Sequence, residues 1–195
     1  MPAGGKADVE TDLVVRACSG DHGAFTQMVA SIARRFHGVA YAILRDPGLA
    51  EDAAQAALVA VWRDLPRLRD PARFDAWAYR ILVNACYGEG RRARWRGVEV
   101  PVDRPPRTTA VDGLQAILDR DEIERGFRKL SVEHRTALVA HYYLDLPSDQ
   151  AAEMLDIPVG TYKSRLHRAN EAMRAVLDAH ARPMRAAVST TETAR

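Results

Sequence analysis

Between Thr161 and Arg168 the chain sets Thr161, Lys163, Ser164, Arg165, His167 and Arg168 within two helical turns. Cations and hydroxyls at that density donate to phosphate oxygens and to the edges of guanines. The residues between and beyond them, Tyr162, Leu166, Ala169, Met173 and Val176, step by four, three, four and three, which is one continuous buried stripe. The donors therefore share the opposite side of an amphipathic helix. Just upstream, Ser148 to Leu155 reads as a shorter helix, with a hydroxyl to cap its start and Ala151, Ala152 and Leu155 at helical spacing. Asp156-Ile157-Pro158 interrupts the two, because proline lacks an amide donor and pushes its predecessor out of helical geometry. The second helix starts at about Pro158. Two helices joined in this way make a helix–turn–helix whose second member enters a major groove. A surface helix with solvated charge is the plainer alternative. The clustering of cations in the first half of the helix argues against it.

A second set, Trp77, Arg80, Asn84, Arg91, Arg92 and Arg94, lies on a helix opening near Asp70-Pro71 and ending near Arg96. Tyr79, Tyr87 and Trp95 interleave with these groups, a pattern suited to unpaired nucleic acid, where bases stack on rings and phosphates meet guanidiniums. Gly88 and Gly90 fall inside the run and each costs about 1 kcal/mol of helix stability relative to alanine. The competing interpretation is therefore a fraying end whose arginines are merely solvated. A third set, Asp52, Gln55, Val59 and Trp62, forms a stripe on a helix from Ala50 to Leu65, beside a core stripe of Ala54, Leu58, Val61 and Leu65. On its own Trp62 is more often a core residue than a contact, but grouped with Asp52 and Gln55 it suits a stripe that binds a protein partner.

Other chemistry is poorly served. No glycine-rich phosphate loop, nucleophile elbow or zinc-protease motif occurs, so no catalytic residue and no cofactor is expected, and the chain is not read as an enzyme. Cys18 and His22 stand one helical turn apart, as metal ligands can, but two ligands do not make a zinc site, and no metal is expected.

The elements that must position these groups are helices throughout. Phe25, Met28, Val29, Ile32 and Phe36 give one side of a helix from His22 or Gly23 to about Leu44, after a helix that begins near Thr11–Asp12. Asp46-Pro47-Gly48 breaks the chain. From Gly97 to Gly113, Pro101, Pro105 and Pro106 lie among valines, threonines and charges without any period, as in an extended linker. Helices follow from about Asp112 to Lys129 and from Ser131. The fold class is all-α, two small helical domains joined by that linker. The division is a disordered N-terminus at 1–9, a first domain at 10–96, the linker at 97–112, a helix–turn–helix domain at 113–180 and a disordered tail at 181–195. The formal charge is only +2 over 195 residues, so basicity is local rather than global. Two cysteines are too few for a disulfide framework, and neither a signal peptide nor an apolar span is evident, which points to a reducing cytoplasm.

Over about residues 10 to 180 the chain resembles a bacterial RNA polymerase sigma factor of the extracytoplasmic-function (ECF) group in the sigma-70 family. Three segments carry the resemblance, in family order. Asp46 to Arg63, with Ala50-Glu51-Asp52, Gln55 and Trp62-Arg63, is similar to the segment that grips the polymerase clamp. Phe74 to Arg94, with Trp77, Ile81, Asn84 and the arginines, is similar to the segment that melts the promoter and reads its −10 element. Leu130 to Arg168, with Ile157-Pro158-Val159-Gly160-Thr161 and Lys163-Ser164-Arg165-Leu166-His167-Arg168-Ala169, is similar to the domain that reads the −35 element. The resemblance implies a sigma region 2-like bundle and a sigma region 4-like helix–turn–helix, with the linker threading the polymerase RNA path. It also implies core RNA polymerase (clamp helices and flap), promoter DNA and an anti-sigma factor as partners, with no small-molecule substrate and no membrane insertion. A helix–turn–helix regulator that binds duplex DNA without polymerase is the alternative, and it predicts palindromic half-sites.

Overall fold

The computed structural model describes residues 4–95, 123, 124 and 126–192, and every regular element among them is helical. The first is α1 (Gly4–Cys18). It starts earlier than Thr11–Asp12, so residues 4–9, expected as a loose end, form its opening turns. Lys6, Ala7 and Glu10 are good helix formers, and they outweigh the two glycines.

Asp21 caps α2 (His22–Leu44) by accepting from the Ala24 amide at 3.0 Å. Ala24, Met28, Ile32, Phe36, Val39, Ala40 and Ile43 form its buried side. The helix stops where Arg45 turns left-handed at φ 59° and donates its amide to the Tyr41 carbonyl. Asp46 then caps α3 (Pro47–Asp64), accepting from the Leu49 amide at 2.7 Å with Pro47 in the first turn. The buried residues of α3 are Ala50, Ala53, Ala54, Ala57 and Val61, and Leu58 is only half-buried. Ala54, Val61 and Leu65 of the expected stripe are buried, and Ala50, Ala53 and Ala57 widen it, because alanines let the helix lie close against both α2 and its next neighbour. Two short 3₁₀ turns, Leu65–Arg67 and Pro71–Arg73, lead into α4 (Phe74–Trp95).

The described helical residues 123, 124 and 126–129 precede α5 (Val132–Leu138), which Ser131 caps and which widens into a π turn at Val139–Tyr143. Then come α6 (Ser148–Leu155) and α7 (Val159–Glu192). Ser148 is not a cap: Pro147 occupies that position and Ser148 is already helical, so the expected hydroxyl cap is not made. Helix α7 passes Leu177 and continues through residues 181–192, where a disordered tail was expected. Good helix formers flank Pro183 on both sides, Ala181 and Arg182 before it and Met184, Arg185, Ala186 and Ala187 after it. The expected linker at 97–112, and most of the helix expected from Asp112, lie outside the described residues.

One apolar core runs through both halves of the chain. Val132, Ala137, Val139, Ala140, Ala151, Met154 and Tyr162 belong to the same cluster as Phe36, Val61 and Leu82. Leu130, Leu138 and Ala169 make a smaller satellite with Phe127, Leu166 and Met173. The two helical bodies expected at the ends of a tether are therefore packed on each other, α5 and α6 lying against α2 and α4.

Phe36 is 2% exposed at the centre of this core, so Phe36→Ala is expected to cost about 3–5 kcal/mol in urea unfolding. Asp46→Ala removes one cap and is expected to cost about 1 kcal/mol in the same measurement.

Candidate nucleic-acid and polymerase interface

Helix α7 is anchored before it is used. Its first turn hangs on Pro158, whose carbonyl accepts from the Tyr162 amide. The Tyr162 ring is fully buried and its hydroxyl donates to the Ala137 carbonyl at 3.2 Å, tying α7 to α5. Burial pushes this phenol up to about 12, so it stays a neutral donor. With Tyr162 and Ala169 inward, Thr161, Lys163, Ser164, His167 and Arg168 are exposed on the far side. Arg165 departs from the set. It is half-buried, and its charge reaches Tyr87 of α4 and Glu133 of α5.

On α4 the structure sorts the second set. Trp77, Arg80, Asn84 and Arg91 recur at three-, four- and seven-residue intervals and share one side, and the last three are exposed. Trp77 is half-buried against Phe74, with ring centroids 5.9 Å apart. Trp95, 91% exposed, prolongs the same stripe. Gly88 lies on it too, and a Cβ there would meet nothing within 4 Å, so the backbone is open to close approach. Arg92 sits off the stripe and pairs with the buried Glu89. Arg94, though exposed, acts on Glu133 as Arg165 does. The interleaved aromatics divide. Tyr79 accepts from Arg35 Nε at 3.2 Å, whereas Tyr87 packs into the core shared by the two bodies and is not presented for stacking. Burial pushes the Tyr87 phenol up, with the Thr136 hydroxyl and the Arg165 charge acting the other way.

The charges of Arg94 and Arg165 also bear on Glu133 of α5. Desolvation raises its pKa, but hydrogen bonds from its own amide and from Ser131, with the charges of Arg94 and Arg165, hold it below the usual range. Beside it, burial pushes the Arg135 guanidinium down to about 10, the charge of Arg45 adding to the effect and Glu133 opposing it.

The third face is the outer side of α3, where Asp52, Gln55, Val59 and Trp62 are all exposed. Gln55 donates to Glu51 at 3.3 Å. Trp62 stands 47% exposed, edge-on to Phe25 with centroids 4.3 Å apart and 5.4 Å from the His22 ring. His22 and Phe25 thus extend the patch from α2. Phe25 was expected on the apolar side of its helix and His22 was given no site, and only the packing of α2 on α3 brings the two rings to the tryptophan. Cys18 instead turns its thiol to the Leu65 carbonyl at 3.6 Å. Among the described residues no group of three or more metal-ligating side chains is assembled. Nor is any described helix long and apolar enough to cross a membrane.

Three helical faces of this kind, with that order of segments, have counterparts in known proteins. Residues 28–96 match Sigma-70 region 2 and residues 120–173 match Sigma-70, region 4. The ECF RNA polymerase sigma factor SigL of Mycobacterium tuberculosis is 36% identical over 135 residues, covering 68% of this chain and 76% of SigL. The RNA polymerase sigma-H factor of Pseudomonas aeruginosa is 32% identical over 184 residues, 84% of this chain and 91% of its own length. Among solved structures, CnrH in complex with the cytosolic domain of CnrY superposes with a TM-score of 0.64 at 26% identity, covering 87% of this chain and 97% of CnrH. The sigma factor RpoE of Bartonella quintana, in complex with the anti-sigma factor NepR, shares the fold with a TM-score of 0.63 at 24% identity, covering 79% and 96%. With both regions matched in order and curated ECF factors similar along most of their length, this chain belongs to the extracytoplasmic-function sigma factors of the sigma-70 family.

Proposed function

We propose that this sigma factor docks on the clamp helices of core RNA polymerase through Asp52, Gln55, Val59 and Trp62 and reads a bipartite promoter with its other two faces. Trp77, Arg80, Asn84, Arg91, Arg92 and Arg94 hold the unpaired −10 strand, rings and amide meeting bases while guanidiniums neutralise phosphates. Thr161, Lys163, Ser164, Arg165, His167 and Arg168 enter the −35 major groove. The observation that carries this reading is the segregation of one exposed cationic stripe on α4 and another on α7, with a separate tryptophan-centred patch on α3. The chain performs no catalysis of its own: it supplies specificity, and the polymerase supplies chemistry. Its place of work is the cytoplasm, where polymerase and promoter are, and an anti-sigma factor is its regulatory partner. A tether raises the effective concentration of the second reader once the first has bound.

The direct test is promoter-specific run-off transcription with purified core polymerase and a promoter found by transcript-start mapping after overproduction. Activity only as an independent duplex binder, with no transcription, would establish a stand-alone regulator instead. Arg168→Ala is expected to lower run-off product and −35 binding while leaving the melting temperature unchanged. A base-reading change on α7 should relax one base preference by about 1–3 kcal/mol. Unaltered output from both Arg168→Ala and Lys163→Ala would remove α7 from the reading surface. Trp62→Ala should weaken association with core polymerase tenfold or more, about 1.4 kcal/mol, with the fold intact. Loss of folding in that variant would make Trp62 a core residue.

A further inference from the structure

We propose that Gly88 sets the depth at which the unpaired −10 strand seats on α4, and so decides whether Asn84 reaches a base. The inference deepens the −10 assignment above and rests on it.

Helix α4 carries two glycines in its second half, and they stand there for different reasons. At Gly90 a Cβ would lie 3.2 Å from Val132 Cγ2 and 3.7 Å from Leu44 Cδ2, so the bare backbone lets neighbouring helices pack. At Gly88 a Cβ would meet nothing within 4 Å, so no internal contact calls for a glycine. Its conformation does not call for one either, because Gly88 is helical and its φ is not positive. Alanine would strengthen the helix at this position, since glycine loses more backbone entropy on folding. A residue that weakens its own helix, serves no packing need and lies on the face assigned to DNA has its use in the DNA.

The neighbours show what that use is. Gly88 lies one turn after Asn84 and one turn before Arg91, both exposed, on the side of α4 that faces away from its buried residues. Trp95, 91% exposed, ends the row. Asn84 and Arg91 are about 10 Å apart along the axis at 1.5 Å per residue, so a strand engaged by both passes over Gly88. There it can rest on the helix backbone itself. A Cβ would raise that surface by about 1.5 Å, one carbon–carbon bond length. The two flanking side chains respond differently to such a lift. Arg91 ends a long, flexible stem and can follow a phosphate outward. Asn84 carries a short amide, and a hydrogen bond of about 2.9 Å does not survive lengthening by that amount. Gly88 is thus a positioning residue that acts through Asn84, and filling it removes base discrimination while sparing the attraction to phosphates.

The test assembles the unsubstituted chain, Gly88→Ala, Asn84→Ala and the double variant with core polymerase. Each assembly is titrated with a fluorescent single strand carrying the −10 element found by transcript-start mapping, and with a scrambled strand of equal length. Gly88→Ala is expected to raise the melting temperature of the free chain by about 2–4 °C. It should nevertheless lower affinity for the −10 strand about tenfold or more. Affinity for the scrambled strand and the salt dependence of binding should not change, because the phosphate contacts remain. In the Asn84→Ala background the same substitution should cost no more than about twofold, as expected when one contact is removed twice. The inference is overturned by an unchanged preference of Gly88→Ala for the −10 strand, by an equal loss on the scrambled strand, or by a lowered melting temperature. A full tenfold loss added in the Asn84→Ala background would overturn it as well. The −10 assignment has its own readout: an unsubstituted assembly that does not prefer the −10 strand, or an Asn84→Ala assembly that keeps the preference, defeats that assignment whatever Gly88→Ala does.

Discussion

Helix α4 is used on two sides along its whole length, and much of the molecule follows from that. Its inner side stays buried from Phe74 through Ala78, Leu82, Val83 and Cys86 to Gly90 and Ala93. This side packs on the alanine face of α3 and also receives α5 and α6, with Val132 of α5 against Gly90. Because the inner side never surfaces, Arg80, Asn84 and Arg91 have one direction left, outward, and they form a stripe in place of a diffuse cloud. A helix of ordinary length thereby serves as core, reader and docking platform at once.

Electrostatics reinforces the division. A net charge of +2 would attract little nucleic acid if spread evenly, but cations collected on two helices make local fields that a near-neutral surface lacks. The structure also places acids against some of these cations. Glu89 holds Arg92, and the charges of Arg94 and Arg165 help keep the Glu133 carboxyl below its usual range. The exposed Lys163 and Arg168 have no such partner among the described contacts, whereas Arg165 is half-buried and His167 Nε2 lies 3.3 Å from the Glu171 carboxylate. Arg135 shows the cost of the arrangement. It is desolvated and sits near other cations, so its tie to the Leu44 carbonyl matters more than an exposed hydrogen bond would.

Membership in the sigma-70 family and the all-helical class were legible because their signals are local. Helical periodicity, the break at Asp156-Ile157-Pro158 and the order of three short motifs depend on neighbours a few residues apart. The stripe Asp52, Gln55, Val59 and Trp62 was equally plain, since one helix surface decides it, and all four are exposed. Where composition was weighed against propensity, the outcome changed. Ser148 stands next to a proline that takes the cap position, and the alanine-rich segment through residue 192 is helical despite its terminal position.

What the sequence by itself determined, then, is which residues form helices and which side of each helix is apolar, because a repeat of 3.6 residues writes that information into a single stretch. Only the tertiary structure decided which helices meet. It placed Phe25 and His22 beside Trp62, took Tyr87 out of reach of a base, left Arg165 half-buried, and made Gly90 a point of contact where the chain alone suggested a weak spot in a helix. Each of these outcomes joins residues from different helices, most of them far apart in sequence. No periodicity encodes such a pairing, because it arises from the shapes of two surfaces that exist only after their helices have formed.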